Sequence, residues 1–259
     1  VEADGLADFF ERAVERALPA IALPASLGWS YEKGLPRGRL TIQEPSRRVP
    51  QTLLYADVSF VYSGPSAGEP GRSFGASDPR AGFVDRAAQR IIRRDPEREA
   101  DLWRDLEEED LDRPALVARN DGDVQLRRSR MPEVVAALLA RGWEVEAEGV
   151  RIRSASNTRL SVRSGIDWFG LEGEVTFDDQ VATLPELLRA ARSGGRTVRL
   201  GDGSLGLLPT EWLERVAPLT ELGEQEAEGL RFRPSQALLL DALLAAQPEI
   251  DVDATFRKA

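Results

Sequence analysis

The chain has 259 residues, 42% of them hydrophobic and 30% charged, with a formal net charge of −10. That is enough apolar material for one large or two medium domains with real cores. It contains no Cys and no His, which removes the usual zinc sites, thiol nucleophiles, disulfides and any triad with an imidazole base.

Lys33 and Lys258 are the two lysines, so nearly all of the 34 basic residues are arginine. A phosphate-binding P-loop needs Gly-Lys-Ser/Thr, and these lysines are followed by Gly34 and Ala259. ATP hydrolysis by this chain alone is therefore not expected. No run of about 18 apolar residues offers a membrane span, and the start lacks a secretory layout, so the expected location is cytoplasmic. The net negative charge opposes nonspecific attraction to nucleic acid. The opening at Val1 and the leucine-rich ending suggest a piece of a longer protein.

Leu6, Phe9, Phe10, Ala13, Val14, Ala17 and Leu18 recur at helical spacing and predict a helix stopped by Pro19. Residues 52–62 have strand composition, and the Gly/Pro/Ser stretch 63–79 reads as a loop. Residues 90–94 predict a short strand leading to Asp95, an N-cap with Pro96 at the first helical position and Leu102, Trp103 and Leu106 on one face. The acidic run at 107–110 reads as a solvated helix end, with a metal or partner site as the alternative. Residues 123–129 predict a strand. Residues 131–143 predict a helix with Val134, Val135, Leu138 and Leu139 inward and Gly142 as its stop.

Val150, Ile152, Leu160, Val162 and Ile166 alternate with Arg151, Arg153, Arg159 and Arg163 around the polar SASNT, which predicts a half-buried hairpin. Its arginine face is the candidate nucleic-acid contact, since guanidinium forks suit phosphate oxygens. The alternative is a solvated face balanced by Glu144, Glu146 and Glu148. Apolar parity then switches near Phe169–Gly170, which predicts a β-bulge. On that reading Trp168 and Phe177 point into the core, and Asp167, Glu172 and Glu174 point to water. Thr183 with Glu186 predicts a capping box for a helix ended at Gly194–Gly195. Asp202–Gly203 predicts a tight turn, and Pro209–Thr210 the start of a helix. A hydrolase built on Glu172, Glu174 and Asp202 would need neither His nor Cys, but no pocket is evident.

The segments SGIDWFGLEGEVTF, RTVRLGDGSLGLLPTEWLERVAPL and LRFRPSQALLLDALL together resemble the helicase-associated region that precedes the motor in bacterial SWI/SNF-type ATPases. YADVSFVY, RRDPEREADLW and MPEVVAALLARGWEVE follow the same resemblance in the same order, over roughly residues 50–250. The resemblance implies a non-catalytic accessory region that guides DNA or regulates a DNA translocase. Its partners would be DNA, the motor domains of the same polypeptide and other proteins, with ATP and Mg²⁺ confined to the motor. It carries over no catalytic, cofactor or metal residue, because the motor motifs are absent from these residues. An acidic protein-interaction module in a nucleoprotein complex is the alternative.

The expected fold is α+β: mainly antiparallel twisted sheets with helices packed on one side, with a division into two lobes. Strands joined by hairpin turns, without regular βαβ alternation, argue against a doubly wound sheet. The expected segments are an N-terminal helix and connection over 1–50, a first lobe over 51–120 and a helicase-associated lobe over 121–259.

Overall fold

The computed structural model describes residues 3–43, 52–63, 71–111, 122–165, 167–193, 195–210, 212–214, 222–226, 229–238 and 250–252. Its contacts divide the chain into two compact units, Val1–Gly149 and Val150–Ala259. The expected boundary at 120–121 falls at the end of the stretch 112–121, outside the described residues.

The first unit runs α1 (Ala3–Glu15), β1 (Ser30–Lys33), β2 (Pro36–Ile42), β3 (Leu53–Tyr62), β4 (Arg72–Gly75), β5 (Gly82–Asp85), β6 (Arg90–Arg93), α2 (Pro96–Glu108), β7 (Val124–Arg127), α3 (Met131–Ala140) and β8 (Glu144–Ala147). Strand β3 is its spine. It pairs antiparallel with β2 along its length, with β4 at one end and β7 at the other, while β8 joins β2 in parallel. Alternation along β3 buries Leu54, Ala56, Val58, Phe60 and Tyr62, as period two requires. Helix α2 packs on β2 and α3 on β8. A smaller sheet, β1-β6-β5, is covered by α1 through Ala7, Phe10 and Val14 with Trp29. Helix α1 stops at Glu15, earlier than Pro19, because Ala17 turns left-handed (φ 51°) and Leu18 N–H closes back onto the Ala13 carbonyl. Phe9, expected inward, is 45% exposed.

A buried polar knot ties α2 to both sheets. The Tyr62 hydroxyl donates to Glu99 Oε1 at 2.6 Å and accepts from the Asp95 N–H at 2.9 Å. Arg94 grips the same Glu99 with two donors at 2.7 and 2.8 Å, a bidentate pair that satisfies a buried carboxylate. Burial and the neighbouring Glu99 carboxylate push the Tyr62 hydroxyl well above the usual phenol range. Asp95 caps α2 as expected, accepting from Arg98 N–H, and Lys33 pairs with it at 2.9 Å. The expected loop over 63–79 contains β4, placed there by its pairing with β3 and by the fully buried Phe74.

The second unit runs β9 (Val150–Ser154), β10 (Asn157–Ser164), β11 (Phe169–Phe177), β12 (Gln180–Thr183), α4 (Leu184–Arg192), β13 (Thr197–Arg199), β14 (Leu205–Leu207), β15 (Glu224–Gln225), β16 (Gly229–Phe232) and β17 (Ile250–Val252). Here β11 is central, with β10 on one side and β12 and β16 sharing the other. Strands β13 and β14 form a hairpin, and β14 runs parallel to β9. Val162, Phe169, Leu171, Val175 and Phe177 meet Leu184, Leu187 and Leu188 of α4, with Trp212 and Phe232, in one core. The capping box is present, with Glu186 Oε2 accepting from Thr183 N–H at 2.8 Å. Ile166 and Gly194 lie outside the described residues.

Nine of the described strand pairings are antiparallel and four parallel, so the fold is α+β with mainly antiparallel sheets. Among the described residues no helix is long and apolar enough to cross a membrane.

Candidate nucleic-acid interface

Arg151, Arg153, Arg159 and Arg163 do not form one row. No ladder joins β9 to β10 among the described residues: β9 pairs with β14, whereas β10 pairs with β11 and β17. The sequence alternates correctly for two strands, but β10 turns into β11, and the parallel pairing of β9 with β14 leaves no local turn signal.

Arg153 is enclosed. Its Nε donates to Ser204 Oγ at 3.0 Å, Nη1 to Asp179 at 2.6 Å and Asp178 at 3.1 Å, and Nη2 to Asp202 at 2.7 Å. The side chain is 10% exposed. Asp178 and Asp179 form the two-residue turn between β11 and β12, and Asp202 lies in the turn between β13 and β14. Arg153 thus fastens two hairpin turns to β9. Hydrogen bonds from the Ser204 hydroxyl and N–H, backed by Arg153, hold the Asp202 carboxyl down at about 2. Arg159 and Arg163 are exposed but stand 3.7 Å from Glu174 and 3.2 Å from Glu172 on the neighbouring strand. Arg151 alone of the four is exposed with no ion pair among the described residues.

The expected bulge is absent. Leu160 faces Gly173, Val162 faces Leu171 and Ser164 faces Phe169 in unbroken register, so even residues of β10 share a face with odd residues of β11. The parity switch falls between Gly165 and Trp168, where the Gly165 N–H donates to the Trp168 carbonyl at 2.7 Å. Phe177 is fully buried as expected, and Asp167 is exposed. Trp168 is only half-buried and lies outside the core. Its ring covers Gly165 and Gly170, where a Cβ would come within 2.3 and 2.7 Å of it, and Arg231 stacks on it at 4.9 Å. Gly170 is therefore a seat for the indole. Glu172 is half-buried beside Arg163 and not freely exposed.

The carboxylates Glu172, Glu174 and Asp202 are not assembled for hydrolysis. The first two lie along the outer face of β11, each beside an arginine, and the third is in the β13–β14 turn. An Asp202 ionised down to about pH 2 is the reverse of a general acid poised near neutrality. Among the described residues no group of three or more Asp or Glu side chains could hold a metal ion. The acidic run at 107–110 is not merely solvated: Arg141 bridges Asp105, Glu108 and Glu109, and Arg130 pairs with Asp110.

A second cationic place, which the hydropathy pattern did not single out, lies in the first unit. A groove of about 510 Å³ is lined by Leu53, Asp110, Gln125, Leu126, Arg127 and Arg130. Its signal in the sequence is Arg127, Arg128 and Arg130, three cations within four residues where β7 passes into α3. No family model, curated protein or solved structure matches the chain.

Proposed function

We propose that this chain is a non-catalytic accessory region of a bacterial SWI/SNF-type ATP-dependent DNA translocase, guiding DNA or regulating motor domains of the same polypeptide in the cytoplasm. The observation that carries the reading is the ordered set of resembling segments. Their distinctive residues are used as cap, turn and core: Asp95, the Asp202–Gly203 turn, Phe177 and Trp212. ATP and Mg²⁺ would belong to the motor.

The acidic protein-interaction reading keeps its support from one finding. Arg153, Arg159 and Arg163 are each engaged by carboxylates, so the predicted stripe offers phosphate little beyond Arg151. Two measurements separate these readings. The reading frame beyond Ala259 is expected to encode an ATPase motor, and DNA-stimulated ATP turnover of that longer polypeptide is expected to change when residues 1–259 are removed. Absence of a motor, or identical turnover, would sink the accessory role. Duplex binding by the chain across a salt series addresses the second reading, because phosphate contacts make log K fall with log salt.

A further inference from the structure

The groove of the first unit is built unlike the divided arginine stripe. Arg127 stands opposite Leu53 in the β3–β7 pair, and Gln125, two residues back along β7, has the same strand parity. Arg130 contributes from the short 3₁₀ turn before α3. Arg127 is exposed and, among the described residues, makes no ion pair; the adjacent Arg128 is likewise exposed and unpaired. Arg130 is held by Asp110, whose side chain is 79% exposed and whose backbone is left-handed at φ 56°. Among the described residues, two guanidinium groups and an amide line the groove against a single carboxylate, in a protein of net charge −10.

We infer that this groove binds the phosphodiester backbone of a nucleic acid. A guanidinium fork donates two hydrogen bonds to one phosphate, and among the described residues Arg127 has no internal carboxylate to displace first. Gln125 adds a neutral donor, and Leu53 offers apolar surface to a sugar. The volume suits a nucleotide-sized stretch of backbone and not an entire duplex cross-section. Asp110 is the counterweight: it occupies Arg130 and repels an incoming phosphate, so binding at full strength requires its carboxylate to give way. The anionic class of ligand follows from the groove; the choice of nucleic acid over an acidic peptide rests on the accessory reading above.

The test is fluorescence anisotropy of the whole chain with a labelled short duplex and the matching single strand, in a salt series starting near 50 mM, roughly where phosphate contacts are strong. Arg127→Ala is expected to weaken binding roughly tenfold, the size of one charge-assisted hydrogen bond, and to lower the salt slope by about one, with unchanged thermal melting. Asp110→Asn is expected to tighten binding, a gain that loss of a merely structural ion pair would not produce; asparagine also tolerates the left-handed backbone. Absence of binding near 50 mM salt, or unchanged affinity in both variants, would overturn the assignment. So would equal competition by polyglutamate, which would mark an acidic protein partner, or by inorganic phosphate, which would mark a small ligand. The accessory role is judged separately, by ATP turnover of the longer polypeptide, so either idea can fail alone.

Discussion

Ser204 sets the charge of Asp202 from both its hydroxyl and its N–H, and Arg153 completes the arrangement. Because the folded carboxyl titrates at about 2, below the ordinary value of about 3.9, its contribution to stability is complete above about pH 4. It is lost as pH falls toward 2. Ser204→Ala is expected to raise the Asp202 pKa toward the ordinary value in an NMR carboxyl titration; an unmoved titration would contradict the assignment. Two aromatic residues give a second contrast at this scale. Phe177 is fully buried, and Phe177→Ala is expected to cost about 3–5 kcal/mol in denaturant unfolding. Trp168 lies half-buried under Arg231, and Trp168→Ala is expected to cost about 1–2 kcal/mol, the sum of partial burial and a cation–π contact. Equal costs would return Trp168 to the core.

Elements announced by local chemistry were legible in the sequence: α2 from Asp95–Pro96, α4 from Thr183 and Glu186, the β13–β14 turn from Asp202–Gly203, and β3 and β6 from their composition. The capping box makes its own prediction. Thr183→Ala is expected to destabilise the second unit by about 1 kcal/mol, read from its unfolding midpoint; no change would show that Glu186 holds the N-terminus of α4 alone. What stayed hidden depends on remote partners. Strand β9 alternates like half of a hairpin with β10, yet one of its ladders is with β14, some fifty residues later, and no alternation pattern names a partner. Strand β4 lies in a Gly/Ser/Pro-rich stretch that reads as loop, and pairing with β3 makes it a strand. A bulge and an antiparallel turn produce the same parity switch along one chain, so only the register of β10 against β11 separates them. The groove escaped because its lining comes from β3, β7, the end of α2 and the entry to α3.

Over the whole molecule, a charge of −10 with no Gly-Lys-Ser/Thr offers nucleotide phosphates no P-loop. Purified protein is expected to show no ATP turnover with or without DNA; activity that survives repurification would contradict this. The Arg153 fastening has a consequence in time. It joins side chains separated by 25, 26 and 49 residues, whereas the β11–β12 and β13–β14 hairpins close locally. Local contacts form first and remote ones after loop closure, so Arg153 engages its aspartates only after both turns exist. Its interactions are then weak in the transition state, and its loss falls on the unfolding limb. In stopped-flow experiments Arg153→Gln is expected to leave the refolding rate nearly unchanged and to raise the unfolding rate, so that the lifetime of the native second unit hangs on a contact that folding itself does not await.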